Sequence, residues 1–230
     1  MIEIKPLKWD SHFFHKKIGA VSHNVSYRSS DLLDIMSREK YDLLYIFSDE
    51  EKLDQDLISS GANLADRKVT YSKQVSHSNL KPLGVIRYQG DSCDDLTQLA
   101  FQSGYKSRFK LDPILSERFE DMYRLWIENS LNGTFADELF VIKEFDLING
   151  FVTVKKNDGV GVIGLIAVSD KQRGRGFGTL LIDKVNEWCA KNELNTIEVA
   201  TQLDNEGACK FYKSKGFSIK RIQYIYHLWK

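Results

Sequence analysis

The stretch "KQRGRGFGTLLI", residues 171–182, places three alternating glycines directly before an apolar helical pattern. Glycine loses more backbone freedom on folding than any other residue, so its repeated use in an ordered segment needs a structural reason. Four explanations are available: a flexible loop, a nucleic-acid patch, a dinucleotide-binding turn and a cradle for a pyrophosphate. The residues around the stretch favour the last of these.

Three of the four explanations meet specific difficulties. A flexible loop would lead to a weak element, whereas this stretch connects a strand pattern directly to a well-patterned helix. A nucleic-acid patch needs more basic residues than Lys171, Arg173 and Arg175, and Lys+Arg and Asp+Glu in the chain both total 32. A dinucleotide turn needs G-x-G-x-x-G, whereas this stretch reads G-x-G-x-G.

A pyrophosphate cradle agrees with each feature of the stretch. Glycines let the backbone approach a ligand closely and turn its N–H groups inward. A helix that starts near Phe177 leaves its first N–H donors unpaired and adds the positive end of its dipole. Arg173 and Arg175 are suited to neutralise further charge. The pattern predicts an anion bound where a strand turns into a helix.

Apolar periodicity outside the stretch predicts an α/β protein. The polar segment "SHSNLKPLG", residues 76–84, predicts a boundary between residues 1–80 and 83–230. Before it, "YDLLYIFS" and "KVTYSKQV" predict strands on either side of the helix "DEEKLDQDLISSG". After it, the predicted order is α-α-β-β-β-α-β-α-β, which indicates a mixed sheet with helices on its faces. Gly164 interrupts the strand "VGVIGLIAVS" and predicts a bulge.

Two motifs in the second part resemble the GNAT superfamily of acyl-CoA transferases. The family's Q/R-x-x-G-x-G/A pattern matches Arg173, Gly176 and Gly178. Its N-x-x-A-x-x-x-Y-x-x-x-G-F pattern matches "NEGACKFYKSKGF", residues 205–217. The resemblance implies a GNAT fold, a mixed, mostly antiparallel sheet with splayed central parallel strands and flanking helices. It makes residues 83–230 the acetyl-CoA-binding domain and residues 1–80 a smaller, partly GNAT-like α/β region on the acceptor side.

The same resemblance implies acetyl-CoA as cosubstrate and assigns residues to it. The pantetheine arm is expected along Ile166, Ala167 and Val168, and near Asn205. The pyrophosphate is expected on the segment formed by Arg173, Gly174, Arg175, Gly176, Phe177, Gly178 and Thr179. Tyr212 is expected near the thioester sulfur, where it would protonate the departing thiolate. The alternatives are a core role for Tyr212 and a pure capping role for Asn205.

Further segments resemble the dTDP-fucosamine acetyltransferase branch of the superfamily: "KWDSHFF", "YKSRFKLDP", "RFEDMYRLWIENSLNGTF" and "VATQLDN". This resemblance implies that the acceptor is the amine of a nucleotide-linked (dTDP-) amino-dideoxy-sugar for bacterial surface polysaccharide. Arg108 is then expected on a phosphate, Phe109 on a ring and Gln202 facing the acceptor. The alternatives are a peptide or protein N-acetyltransferase and a non-catalytic CoA-binding module.

Two carboxylates are candidates for the base that takes the proton of the attacking amine. Asp66 follows "SGANLA" and aligns with an acid in the resembling enzyme, so the resemblance implies that it starts a proton relay; its alternative role is that of a turn aspartate before a strand. Glu198 lies on the strand "TIEVA", and its alternative role is a cross-strand salt bridge. Arg108 has the alternative of a structural ion pair. One departure concerns Phe211, which stands where the resembling enzyme has a basic residue.

The remaining composition limits cofactors, partners and location. The three cysteines, Cys93, Cys189 and Cys209, are odd in number and form no C-x-x-C pair, so neither a zinc site nor a disulfide framework is expected. This predicts a cytoplasmic protein. We find neither a run of about 18 apolar residues nor a signal-peptide pattern. No metal, nucleic acid or membrane partner is expected; a homodimer is suggested by the resemblance.

Overall fold

The computed structural model describes residues 2–23, 28–76 and 84–230. The predicted boundary segment therefore lies almost entirely outside the described residues. The strands are β1 (Lys5–Pro6), β2 (Ile18–Ser22), β3 (Leu43–Ser48), β4 (Asn63–Gln74), β5 (Val85–Arg87), β6 (Glu138–Glu144), β7 (Leu147–Asn157), β8 (Val160–Val168), β9 (Thr196–Gln202) and β10 (Ser218–Trp229). The helices are α1 (Lys8–Phe14), α2 (Ser29–Arg38), α3 (Gln55–Ser59), α4 (Asp94–Gly104), α5 (Arg108–Leu111), α6 (Phe119–Leu131), α7 (Phe177–Lys191) and α8 (Glu206–Ser214).

One ten-stranded sheet runs through the described residues in the order β1-β2-β3-β10-β4-β9-β8-β7-β6-β5. Neighbouring strands are parallel in two places, between β2 and β3 and between β8 and β9, and antiparallel elsewhere. The predicted mixed, mostly antiparallel sheet is thus confirmed. Strands from both predicted parts of the chain share this sheet, because β10 lies between β3 and β4.

Helices cover both faces of the sheet. On one face α1, α4, α5 and α6 pack on alternate residues of the strands, among them Tyr45, Val141 and Ile225. On the other face α7 and α8 cover the β8–β9 end, and α2 and α3 cover the β3–β10 end. In α7 the buried residues Leu181, Val185 and Cys189 recur every four positions, which is the spacing of one helix face.

The segments β2–α2–β3–α3–β4 and β8–α7–β9–α8–β10 have the same topology. In each, the first two strands are parallel neighbours, and the last strand is separated from the second by one strand of the other segment. Exchanging β2 with β8, β3 with β9 and β4 with β10 therefore reproduces the strand order in reverse. We call these the first half and the second half of the sheet.

The predicted elements of the second part agree well with the structure, and those of the first part agree less. The helix predicted over "DEEKLDQDLISSG" is only the five-residue α3. Residues 8–22 and 29–38 form α1, β2 and α2, which were not predicted. Between β7 and β8 the chain turns at Asp158 and Gly159, which both have positive φ, as a type I′ hairpin requires.

Candidate functional site

A bulge in β8 splits the sheet next to the glycine stretch. The partners of β8 on β7 jump from Val154 opposite Ile163 to Val152 opposite Ile166, so Gly164 and Leu165 form the predicted bulge. The Leu165 N–H donates to Oγ1 of Thr153 (2.8 Å). Pairing between β8 and β9 stops at Ile163, and the two strands separate beyond it. The expected splay of the central parallel strands is therefore present.

A cavity of about 730 Å³ occupies this split and reaches both faces of the sheet. Its glycine end is formed by residues 172–174 and 176–179 and by α8. Its Asp66 end is formed by β4, α4, α5, α6 and the end of β9. Most predicted site residues line it: Asp66, Arg108, Phe109, Ile166, Ala167, Val168, Arg173, Gly174, Gly176, Phe177, Gly178, Thr179, Gln202, Asn205 and Tyr212. Arg175 and Glu198 do not.

The local structure requires glycine at each of the three glycine positions of the stretch. Gly174 and Gly176 have φ of 80° and 84°, which residues with a Cβ adopt only with strain. Gly176 precedes α7, whose start receives no side-chain cap. Its first N–H groups are therefore free to face an anion. A Cβ at Gly178 would lie 3.0 Å from Cζ of Phe211, so Phe211 closes the contact between α7 and α8.

The two arginines of the stretch differ in placement. Arg173 lines the cavity and contacts Asp170, at 2.6 Å between Nη2 and Oδ1. Arg175 forms a bidentate pair with Glu144, at 2.8 and 3.0 Å, and also contacts Gln172. Arg175 is thus directed to the hairpin between β6 and β7. Only Arg173 can supply the predicted charge at the cavity without first giving up a bidentate partner.

Asn205, which precedes α8, and Tyr212, within it, both line the cavity. Asn205 caps the helix by accepting from the Ala208 N–H (3.3 Å) and also lines the cavity, so both predicted roles are compatible. Tyr212 is 4% exposed, and its ring packs near those of Tyr71 and Phe217, each at 5.7 Å. Burial raises the pKa of Tyr212, so its phenol stays protonated at neutral pH. Its hydroxyl is therefore a proton donor.

Asp66 is the buried carboxylate of the cavity. Its side chain is 2% exposed, and Oδ1 has no hydrogen-bond partner among the described residues. It lies inside β4 rather than in a turn before a strand, opposite Ile225. Burial raises the pKa of Asp66 to about 6, although Arg108, Gln202 and Lys68 lower it. A carboxyl group of this kind can accept a proton near neutral pH.

Basic and aromatic side chains surround Asp66. Nη1 of Arg108 lies 3.9 Å from Oδ2 of Asp66. Lys68 lies two residues along the strand, and burial, followed by the charge of Arg108, lowers its pKa. The rings of Tyr123 and Trp126 are 4.8 Å apart and line the cavity beside Phe109. Oε1 of Gln102 and Oγ of Ser107 are also buried without a hydrogen-bond partner among the residues that the structure describes.

Sequence reasoning missed several of these lining residues. Tyr123 and Trp126 belong to the apolar stripe of α6, which indicates core and nothing more. Lys68 and Gln102 carry no motif, and their position depends on how β4 and α4 meet across the sheet. No signal in the sequence separates them from other polar residues.

Glu198 lies where the two parallel strands are still paired, opposite Val162. Its Oε1 accepts from Nζ of Lys220 at 2.5 Å. The structure therefore shows the cross-strand salt bridge and keeps Glu198 out of the cavity lining.

Neither a metal-binding cluster nor a membrane-spanning helix occurs in the described residues. In residues 2–23, 28–76 and 84–230, no three His, Cys, Asp or Glu side chains are grouped so that they could hold a metal ion. Within the same ranges no helix is both long enough and apolar enough to cross a membrane.

A model of the acetyltransferase (GNAT) family matches residues 96–217. The dTDP-fucosamine acetyltransferase of Escherichia coli O6:H1 is 28% identical over 228 residues, which cover 96% of each chain. The spore coat polysaccharide biosynthesis protein SpsD of Bacillus subtilis is 29% identical over 141 residues, 61% of this chain and 48% of that one.

The fold itself also has counterparts. A functionally unknown conserved protein from Staphylococcus epidermidis has a similar structure, with a TM-score of 0.62 at 13% identity. That similarity covers 93% of this chain and 85% of the other. The family match, residues 96–217, contains the split strands, the glycine end and all of α8. Asp66 and Lys68 lie before it.

Proposed function

The chain belongs to the acetyltransferase (GNAT) family, and from this premise we propose that it acetylates the amine of a nucleotide-linked (dTDP-) amino-dideoxy-sugar for surface polysaccharide. It is an acetyl-CoA-dependent N-acetyltransferase, as its family and its named relatives indicate. One observation carries the choice of acceptor. Similarity to an enzyme named dTDP-fucosamine acetyltransferase covers 96% of the chain, and so includes the segments that form the Asp66 end.

The glycine end suits the pyrophosphate of acetyl-CoA. The free N–H groups at the start of α7 and the guanidinium of Arg173 would hold its negative charge. The separated edge of β8, at Ile166–Val168, has no strand partner on the side of β9, so its backbone groups are available to the pantetheine amides. Asn205 would reach the same arm from α8. Phe211 replaces a basic contact with packing on Gly178.

The chemistry needs a proton acceptor and a proton donor at opposite sides of the reacting centre. Bound acetyl-CoA supplies an activated acetyl thioester. Asp66 takes the proton from the acceptor amine, which then forms a bond to the acetyl carbon. Tyr212 gives its phenolic proton to the sulfur as the carbon–sulfur bond breaks, and general acids of this kind contribute about 10²–10⁴ in rate. A backbone N–H of β8 stabilises the negative charge that develops on the carbonyl oxygen.

The Asp66 end has the composition expected of a carbohydrate pocket. The rings of Phe109, Tyr123 and Trp126 offer apolar surface to a sugar ring. Unpartnered buried polar atoms of Gln102 and Ser107 are available to hydroxyl groups. We assign Arg108 to a phosphate of the nucleotide, Phe109 to the sugar ring and Gln202 to the acceptor near its amine. In this proposal residues 1–80 contribute Asp66 and Lys68 to the acceptor side.

An acceptor screen with acetyl-CoA, read by release of free thiol, tests this function. We expect turnover with dTDP-linked amino-dideoxy-sugars and at least tenfold lower kcat/KM with the free amino sugars. Turnover with peptides and none with sugar nucleotides would make the chain a peptide N-acetyltransferase. Binding of CoA by calorimetry without turnover on any acceptor would make it a non-catalytic module.

A further inference from the structure

A chain of buried side chains connects the far end of β10 with Asp66. Nδ1 of His227 lies 2.6 Å from Oδ2 of Asp112, and the Trp229 Nε1–H donates to the same oxygen at 2.9 Å. His227 is fully buried. The ring of Tyr45 stacks on that of His227, with centroids 4.8 Å apart. These contacts join the end of α5 to the middle of the sheet.

Arg108 continues this chain to the cavity. Its Cζ lies 4.9 Å from the ring centroid of Tyr45 and 4.2 Å from that of Phe109. Its Nε is buried and has no hydrogen-bond partner in the described part of the chain. Its Nη1 lies 3.9 Å from Oδ2 of Asp66, which is too long for a hydrogen bond. Ring contacts therefore hold this guanidinium, and it acts on Asp66 as a fixed charge.

From this geometry we infer that Arg108 is a positioning residue that keeps Asp66 ionised, and that Asp112, His227 and Tyr45 hold Arg108 in place. The inference rests on the proposed role of Asp66 as base. It gives Arg108 a second task beside acceptor binding. It also gives a task to three buried side chains that touch neither substrate.

Other charged and titratable groups face this pair and define the background. Around Asp66 they are Lys68 on β4, Asp204 after β9 and Tyr123 on α6. Around Arg108 they are Asp10 on α1, Tyr45 on β3, Lys68 on β4, Tyr123 on α6 and His227 on β10. Arg108 is the strongest of the groups that lower the pKa of Asp66 against the effect of burial. Removal of the Arg108 charge should therefore raise the pKa of Asp66.

The test is the pH dependence of kcat/KM in Arg108→Met, with Lys106→Met as control. Both changes remove one positive charge from neighbouring positions, and Lys106 is exposed. On the acid side of the pH profile, kcat/KM falls as the base becomes protonated, and we call this part of the profile the acid limb. In Arg108→Met we expect the acid limb to lie roughly one pH unit higher than in the wild type. At pH 6 kcat/KM should then be about fivefold lower, whereas at pH 8 it should return to nearly the value that the variant reaches with its base fully ionised. Lys106→Met should keep the wild-type limb.

Tyr45 supplies a second, independent variant. Tyr45→Phe retains the aromatic ring against Arg108, so the acid limb of kcat/KM should stay at the wild-type pH. Tyr45→Leu removes the ring and should move the acid limb to higher pH, as Arg108→Met does. If Arg108→Met fails to fold, Arg108→Lys and Arg108→Gln give the same comparison between a retained and a lost charge. A limb that stays at the wild-type pH in the uncharged variants, with only a higher acceptor KM, overturns the inference. Full activity of Asp66→Asn would instead refute the proposed base, a different result.

Discussion

The two halves of the sheet have the same topology but differ at one place. In the first half, β2 and β3 pair along the whole of β2, from Ile18 opposite Leu43 to Ser22 opposite Phe47. In the second half, β8 and β9 pair for only four residues and then separate at the Gly164 bulge. The cavity lies in that separation.

This difference shows what a strand–helix–strand unit needs in order to hold a cofactor. Parallel pairing alone leaves no room, because adjacent strands lie only about 4.8 Å apart. The bulge opens the second half, and the start of α7 then faces the opening with unpaired N–H groups. The first half stays closed and instead presents side chains such as Tyr45, Asp66 and Lys68 on its strands. We therefore expect mutations at the glycine end and in α8, in the second half, to act on the donor, and those at Asp66 and Lys68, in the first half, to act on the acceptor.

The largest effect should come from Tyr212→Phe, in the second half. Loss of the phenolic proton should lower kcat by about 10²–10⁴, while the dissociation constant of acetyl-CoA changes little because the ring remains in place. Stopped-flow thiol release and calorimetry measure the two quantities. Tyr71→Phe is the control, since Tyr71 packs against Tyr212 and its hydroxyl has no partner among the described residues. An unchanged kcat in Tyr212→Phe would remove the general acid from the mechanism.

The second half could be predicted from the sequence because its function depends on the backbone. Positive φ at Gly174 and Gly176, close packing at Gly178 and an uncapped helix start each require a residue type at a fixed spacing. The Asp66 end offers no such pattern. Its side chains come from five elements, α4, α5, α6, β4 and β9, and meet only through the sheet order. The seven-residue α1 is too short for a periodic pattern to predict it, and α3 is only five residues of the longer helix that the sequence predicts.

Asp66→Asn, in the first half, should lower the rate less than Tyr212→Phe does, and it should make the folded protein more stable. We expect kcat/KM to fall about 10²-fold when the base is lost. Because the pKa of Asp66 is raised to about 6 by burial, the folded protein binds this proton more tightly than the unfolded chain does. Ionised Asp66 therefore destabilises the fold above pH 6, and this cost disappears as the pH falls towards 4.

The asparagine variant should consequently unfold with a free energy about 1–3 kcal/mol higher than the wild type at pH 7, measured by urea denaturation. The gain should shrink as the pH falls from 6 towards 4. Asp204→Asn is the control, because that carboxylate is exposed and pairs with Arg67 at the surface, where such pairs contribute about 0–1 kcal/mol. A less stable Asp66→Asn would show that the carboxylate is structural.

Gly176→Ala should have a moderate effect on catalysis, through weaker binding of acetyl-CoA alone. Gly176 and Gly133 have nearly the same φ, 84° and 83°, and a Cβ at either would meet nothing within 4 Å. Both alanine variants should therefore lose about 1–2 kcal/mol of stability through backbone strain alone. Only Gly176→Ala should also raise the KM of acetyl-CoA, by about tenfold, because it shifts the first N–H groups of α7. Equal KM values in the two variants would contradict the cradle.

The smallest effect should be that of Glu198→Gln, which decides between the two predicted bases. Glu198 and Asp66 face the same side of the sheet on neighbouring strands, but only Asp66 lies beyond the point where β8 and β9 separate. Glu198 pairs with Lys220, an exposed partner, and such pairs contribute about 0–1 kcal/mol. We expect kcat/KM and its acid limb to change less than twofold. A tenfold loss with an altered limb would make Glu198 the base, and the first half would then supply no reacting group.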